Sequence, residues 1–204
     1  MKIMMNDETR EALFDLITAE HAQLAAGVIA HHHLMDNFHN FFQSLTDENF
    51  DLQAYFAESP SFAQAFNGLE EPWRFAIASY IFLGQVSNGG FGQFLFNTAG
   101  FAPVIAAFVD QYGSPNLVEH YDTAYDRLYN EEFIEALQKT QEKIAKLDLS
   151  IPDNQERAQK IAKNHMGLID SGDFDEWFQN KGGEAEFVAA MLRLIQDNIF
   201  IFFI

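Results

Sequence analysis

Apolar residues recur every three to four positions along most of this chain, which is the spacing of an α-helix with one apolar side. In residues 8–28, for example, Leu13, Leu16, Ile17 and Leu24 share one side. Prolines, glycine pairs and capping residues separate such stretches, as expected at helix ends. The predicted helices cover residues 8–28, 47–57, 72–86, 91–97, 103–112, 115–129, 131–147, 152–164, 173–180 and 184–198. The pattern therefore predicts an all-α fold of many short-to-medium helices.

The composition indicates that the helices pack around one core rich in apolar and aromatic side chains. The chain has 204 residues, of which 48% are hydrophobic and 22 are Phe. A chain of this length can bury about 70% of its surface in one domain, so we expect a single compact domain over residues 1–204. The apolar tail 199–204 predicts a short irregular or strand-like end. It either packs into the chain's own core or covers a seam between subunits.

Acidic residues dominate the charge, and they are unevenly placed. The chain carries 30 Asp and Glu against 12 Lys and Arg, a net charge of −18. Residues 11–126 hold 14 acids and one base, Arg74, whereas residues 127–163 hold seven of each sign. A large field of one sign repels nucleic acids and membranes and attracts basic protein surfaces. We therefore expect a partner with a positive face, and neither direct binding of nucleic acid nor a membrane.

Several classes of protein are disfavoured by what the sequence lacks. It has no cysteine, which excludes disulfides, thiolate metal sites and cysteine nucleophiles. Residues 1–10 show no apolar run of a signal peptide, and the run 199–204 is far shorter than the ~20 residues of a membrane span. We expect a cytoplasmic protein. No phosphate-binding loop, hydrolase elbow, zinc-protease motif or dinucleotide fingerprint is present, so we expect no enzyme, no catalytic residue and no cofactor.

One segment is specific enough to indicate a family. Residues 85–100 read QVSNGGFGQFLFNTAG, in which Asn88, Gly89 and Gly90 are suited to ending one helix and turning into the next. The second helix should present Phe91, Phe94 and Leu95 to the core, while Gln93 and Asn97 satisfy backbone groups of the turn. We interpret the glycine pair as a packing device rather than as an anion site.

This segment resembles the NGGF-x-QFF-x-N-x-x-G signature of the DMP-like domain family. Residues 102–126 and the sequence DSGDFD at 170–175 also look like family positions, so the resemblance covers about residues 60–180. Leu95 replaces an aromatic position, and Gln85 stands where the family often has Glu. The length and acidity bring the chain closest to the neisserial DNA-mimic member of the family.

What the resemblance implies is a homodimer that imitates double-stranded DNA and occupies the DNA-binding face of a helix-turn-helix transcription factor. Two chains would carry twice the net charge of −18, which equals the charge of roughly 60 Å of B-DNA. A compact dimer of this size has a long dimension of roughly 55–60 Å. Charge and length therefore match an operator-sized target.

The spacing of the acids, not the family, provides the candidate residues for this surface. Glu119, Asp122 and Asp126 recur at i, i+3 and i+7, on one face of a predicted helix. Others lie at helical spacing or cluster in one turn near the amino-terminal end of the chain. The candidate mimic surface is Glu11, Asp15, Asp47, Glu48, Asp51, Glu119, Asp122 and Asp126.

Two alternatives remain open from the residues alone. His32, Asp36 and His39 fall at i, i+4 and i+7, which could form a metal site of two histidines and one carboxylate, or support a metal-dependent enzyme. In a solvated position they would be an ordinary polar patch, or would make partner binding sensitive to pH. The other alternative is an acidic buffer that binds basic proteins without a specific target.

Overall fold

The computed structural model describes residues 66–167, 169–198 and 201 of the chain. In these residues the secondary structure is helical, and no strand occurs. The elements are α1 (Glu71–Thr98), a 3-10 turn (Ala99–Phe101), α2 (Ala102–Tyr112), α3 (Pro115–Leu128), α4 (Glu131–Ala145), α5 (Pro152–Met166), α6 (Phe174–Asn180) and α7 (Gly183–Asp197). The predicted all-α fold is confirmed for this part of the chain. Helices predicted at 8–28 and 47–57 lie outside the described residues.

Local sequence accounts for the helix boundaries. Ser114 accepts a hydrogen bond from Leu117 N at 3.1 Å, and Asn130 accepts one from Phe133 N at 2.9 Å, so both act as helix N-caps. α2, α3 and α5 each have a proline in the first turn, where the missing N–H costs no helical hydrogen bond. The boundaries predicted from these signals agree with the structure to within two or three residues.

α1 is interrupted where the sequence predicts a break. Its backbone leaves helical geometry at Gly89 (φ −162°) and Gly90 (φ 78°), and it resumes a helical path at Phe91. The predicted pair of helices at 72–86 and 91–97 is therefore one kinked element. Phe91, Phe94 and Leu95 are fully buried, as predicted.

The chain divides into two compact units. One contains residues 1–80 and 185–204, and the other is formed by residues 81–184. In the first unit, the described start of α1 buries Trp73, Phe75 and Ile77, while α7 buries Phe187, Met191 and Ile195. The single domain expected over residues 1–204 stays a prediction.

The second unit is built around a cluster of aromatic rings. Phe82 makes edge-on contacts with five other rings at centroid distances between 4.8 and 6.4 Å, those of Phe91, Phe94, Tyr121, Phe174 and Phe178. Such contacts add to the free energy gained from burying the rings. The cluster ties the kinked end of α1 to α3 and α6.

An apolar stretch in this core also satisfies simple criteria for a membrane span. Within Glu71–Tyr112, an 18-residue window has a mean hydropathy of 1.4, and half of it is buried inside the structure. The core helix of a globular protein has the same properties. The apolar character of this stretch is accounted for by the packing just described.

One residue of the apolar tail, Ile201, belongs to the part of the chain that the structure describes. Ile201 has helical geometry, and its N–H donates to Asn198 O at 2.8 Å. The remaining positions between 199 and 204 lie outside the described residues. The role of this tail therefore stays a prediction.

Candidate functional site

The glycine pair of α1 is held by a carboxylate that lies far away in sequence. Phe91 N donates to Asp175 Oδ1 at 2.7 Å, and Ser171 Oγ donates to Asp175 Oδ2 at 2.6 Å. A Cβ atom at Gly90 would lie 2.6 Å from Asp175 Oδ2. The two segments that resemble the family, 85–100 and 170–175, thus form one structural joint, which supports the interpretation of the motif as a packing device.

Side chains on either side of the kink form a small amide cluster. Gln85 Oε1 accepts hydrogen bonds from Gln93 Nε2 at 3.1 Å and from Asn97 Nδ2 at 2.8 Å. The expectation that Gln93 and Asn97 bind backbone groups of the turn is therefore wrong. Asn88 is the side chain that does this, because its Nδ2 donates to Gly84 O at 2.7 Å. The helical segments before and after the kink face each other closely enough for the amides to pair directly.

The predicted acids of α3 separate into two locations. Asp122 lies close enough to Asp126 on its own helix, and to Asp110 on the neighbouring helix α2, for both charges to act on it. Partial burial raises the pKa of Asp122 above its usual value, and the negative charges of Asp110 and Asp126 raise it further. We refer to Asp110, Asp122 and Asp126 as the acidic face. Glu119, the third predicted acid of this helix, lines a groove instead.

Within residues 66–167 and 169–198, no basic side chain forms an ion pair with the acidic face. Among the described residues the ion pairs are Arg127–Asp170 and Lys139–Glu135, and neither involves the face. Residues 102–126 contain no Lys or Arg at all. The face therefore presents unpaired negative charge on two packed helices.

Tyrosines accompany the acids along α3. The rings of Tyr121 and Tyr125 stack at 5.8 Å, and those of Tyr125 and Tyr129 stack at 4.9 Å. Partial burial raises the pKa of Tyr125, and neighbouring Tyr129 and Asp126 raise it further. Tyr125 is therefore neutral at physiological pH, and the charge of this helix face comes from its carboxylates.

The groove lies between α3 and the loop that precedes α6, within the second unit. Its volume is about 310 Å³, and its walls include Glu119, His120, Arg127, Asp173 and Phe174. This volume lies at the lower end of the range for binding sites of small ligands or single side chains. The groove brings two acids, Glu119 and Asp173, to one concave site.

Most of the residues predicted from the sequence cannot be placed. Glu11, Asp15, Asp47, Glu48 and Asp51 lie outside the described residues. The same is true of the metal candidates His32, Asp36 and His39. Within residues 66–167 and 169–198, no group of three or more acids and histidines has the geometry to hold a metal ion.

Two acids that the structure brings to the acidic face and the groove were not among the residues predicted from the sequence. Asp110 is one acid in an otherwise apolar helix, and Asp173 is one of four acids within residues 170–176. Helical spacing connects residues only within one helix. It therefore gave no signal for an acid on α2 or in a loop that meets α3 in space.

Comparison with known proteins gives one result. A family model described as DMP19-like protein matches residues 67–166. This range contains the kink of α1, the amide cluster and the acidic face. No curated protein and no solved structure matches the chain.

Proposed function

We propose that this protein is a mimic of double-stranded DNA, and the match of the DMP19-like family model to residues 67–166 supports this proposal. In this proposal it binds the DNA-binding face of a helix-turn-helix transcription factor and prevents that protein from binding its operator. The observation that carries the proposal is the acidic face. There the charges of Asp110 and Asp126 act on Asp122, and none of the three carboxylates forms an ion pair with a base in the part of the chain that the structure describes.

Such a face offers what a DNA-binding protein recognises first. Contacts to phosphates supply much of the affinity of these proteins for DNA and position them on the duplex. Carboxylates at Asp122 and Asp126 are separated by one helical turn, a rise of about 6 Å. Because the helices are already packed, these charges are ordered before the partner arrives, which lowers the entropic cost of binding.

The raised pKa of Asp122 supports the same proposal. Partial burial disfavours the ionised form of this carboxylate most, and the negative charges of Asp110 and Asp126 disfavour it further. A lysine or arginine of the partner would relieve this repulsion, so part of the unfavourable energy would be regained on binding. A face that served only for solubility would mix charges of both signs.

The remaining parts of the proposal follow from the mimicry. The partner is a basic DNA-binding protein, and the inhibitor acts as a homodimer long enough to cover an operator-binding surface. It acts in the cytoplasm without a membrane, without binding nucleic acid itself and without catalysing a reaction. The match of the family model to residues 67–166 and the acids of α2 and α3 support the basic partner, while the homodimer and the location stay predictions from the sequence.

The first experiment captures the partner. The purified full-length protein is immobilised, lysate from its own cells is applied at low salt, and bound proteins are eluted at ~0.5 M salt, where exposed charge pairs are screened. We expect one helix-turn-helix regulator to elute, and its operator DNA to compete it off. A broad set of basic proteins would contradict the proposal and favour an acidic buffer. Bound metal without any basic partner would contradict it as well.

A pair of charge-matched variants then tests the acidic face. Asp122→Asn/Asp126→Asn and Glu142→Gln/Glu156→Gln each remove two negative charges, but Glu142 and Glu156 lie exposed on α4 and α5. We expect the first double variant to weaken regulator binding at least tenfold and the second to change it by less than about twofold. Equal losses would mean that only the net charge matters.

A further inference from the structure

The groove beside the acidic face has chemistry of its own. Glu119 forms one wall from α3, and Asp173 forms the other from the start of α6. Both residues are exposed to solvent. The partly exposed ring of His120 also lines the groove, whereas the ring of Phe174 is 2% exposed and packs into the core. The groove therefore combines two carboxylates with an aromatic surface.

Other polar groups of the groove already have partners. Arg127 pairs with Asp170, which offsets its positive charge. The hydroxyl of Thr123 donates to Glu119 O at 2.7 Å, and that of Ser171 donates to Asp175. In contrast, the carboxylates of Glu119 and Asp173 form no hydrogen bond or ion pair with the described residues. These two groups are thus available to a ligand, and the charge of the groove is negative.

A stacked pair of rings fixes one side of the groove. The ring of His120 lies on that of Trp177 at a centroid distance of 4.1 Å and an interplanar angle of 16°. Its Nδ1 donates to Asn116 O at 2.9 Å, so the imidazole is held in orientation. A ligand in the groove would contact the ring of His120, which is stacked on Trp177. Binding can therefore be followed through the NMR signal of the Trp177 indole N–H.

We propose that this groove receives the guanidinium group of an arginine from the basic partner. The inference rests on the proposed function and adds to it a discrete anchoring site beside the acidic face. Guanidinium is planar, forms paired hydrogen bonds with carboxylates and stacks on aromatic rings. An ammonium group offers only a point charge. The two carboxylates and the aromatic surface therefore select arginine over lysine.

The test uses a small probe and needs no knowledge of the partner. N-acetyl-arginine methylamide is titrated into the full-length protein, and the indole N–H signal of Trp177 is followed by NMR. The chain has two Trp, and the Trp177→Phe spectrum assigns the signal. We expect a saturable shift, and an affinity for the corresponding lysine amide that is at least threefold weaker. Absence of a shift, or equal affinity for both probes, would overturn the proposal.

Two charge-matched variants separate the groove from general charge. Glu119→Gln/Asp173→Asn should weaken binding of the arginine probe at least tenfold, because both carboxylates are lost and the shape of the groove is kept. Glu142→Gln/Glu156→Gln should leave it unchanged within a factor of about two. The melting temperatures of both variants should match that of the wild type. An unchanged probe affinity in the groove variant would overturn the proposal.

The same variants distinguish a failure of this inference from a failure of the proposed function. If the captured regulator binds the groove variant as tightly as the wild type, the partner does not use the groove, and the inference fails while mimicry stands. If no regulator is displaced from its operator but the probe binding depends on Glu119 and Asp173, mimicry fails. In that case the groove remains an arginine site for a different basic partner.

Discussion

The backbone N–H of Phe91 donates a 2.7 Å hydrogen bond to the carboxylate of Asp175, which lies 84 positions later in the chain. Phe91 begins the helical segment after the kink, and α6 contains Asp175. A carboxylate at the start of a helical segment satisfies an otherwise unpaired N–H and interacts favourably with the helix dipole. One side chain thus fixes both the kink of α1 and the position of the loop that forms one wall of the groove.

Replacement of Gly90 should be costly because of this joint. Gly90→Ala places a Cβ 2.6 Å from Asp175 Oδ2, in a backbone conformation (φ 78°, ψ −179°) that other residues avoid. We expect a loss of at least ~2 kcal/mol in the free energy of unfolding, measured by urea denaturation.

Gly84 provides a matched control in the same helix. A Cβ at Gly84 meets no atom within 4 Å, and the residue has ordinary helical geometry. Gly84→Ala should therefore stabilise the protein by about 0.5–1 kcal/mol. Similar effects of the two substitutions would contradict the role of the kink.

The acidic face should reduce stability at neutral pH. The pKa of Asp122 in the folded protein is raised above the 3.8 of an unperturbed Asp, so the folded chain holds this proton more tightly than the unfolded chain does. This tighter binding of the proton stabilises the folded chain below pH 3.8, and the stabilisation is lost as the pH rises through the pKa of Asp122 in the folded protein. Because Asp122 is partly exposed, solvent screens much of this effect, and Asp122→Asn should raise the free energy of unfolding at pH 7 by no more than about 0.5 kcal/mol. Near pH 3.5 the gain should be much smaller, and an equal gain at both pH values would show that the ionisation of Asp122 is not its cause.

His165 should make stability depend on pH in the opposite direction. Its ring lies near Phe96 and Phe133, and its Nε2 is buried without a hydrogen-bond partner among the described residues. Burial lowers the pKa of His165 below its usual 6.5. The folded chain therefore binds this proton less tightly than the unfolded chain does. The contribution of neutral His165 to stability is present above pH 6.5 and is lost as the pH falls through the folded pKa.

Substitution of His165 tests this directly. Thr140 donates to Ala136 O at 2.9 Å, so the remaining bond at its oxygen comes from His165 Nδ1, at 3.1 Å. Protonation would add a buried N–H at Nε2 with no acceptor. His165→Phe should therefore lose less stability than the wild type between pH 7.5 and 5.5 in urea denaturation. Equal losses would assign the pH dependence to other groups.

Arg127 should weaken partner binding slightly. It is the one base in residues 75–138, and it pairs with Asp170 at an exposed position, where the two side chains are 52% and 68% exposed. Arg127→Gln should change stability by less than ~1 kcal/mol and should tighten regulator binding about two- to fivefold, as expected for one exposed charge. Lys139→Gln breaks the exposed pair with Glu135 on α4 and serves as the control. A larger effect of Lys139→Gln would place the partner on α4 instead.

The sequence predicted the helices well because their signals are local. Ser114, Asn130 and the first-turn prolines act within one turn of helix, and the glycine pair acts on its own backbone. The apolar period also identified Phe91 and Phe94 as core residues. The candidate surface was predicted less completely, since Asp122 and Asp126 were found by their spacing and Asp110 was not.

The sequence by itself determined the helical content, the break at Gly89–Gly90, the excess of acid and the resemblance to a family, because each of these depends on neighbours along the chain or on composition. Only the tertiary structure decided that Asp175 holds the kink, that Asp110 joins the acids of α3 and that Asp173 faces Glu119 across a groove. These relationships arise where helices distant in sequence pack together. The spacing of residues along one helix carries no information about which residues of another helix they will contact.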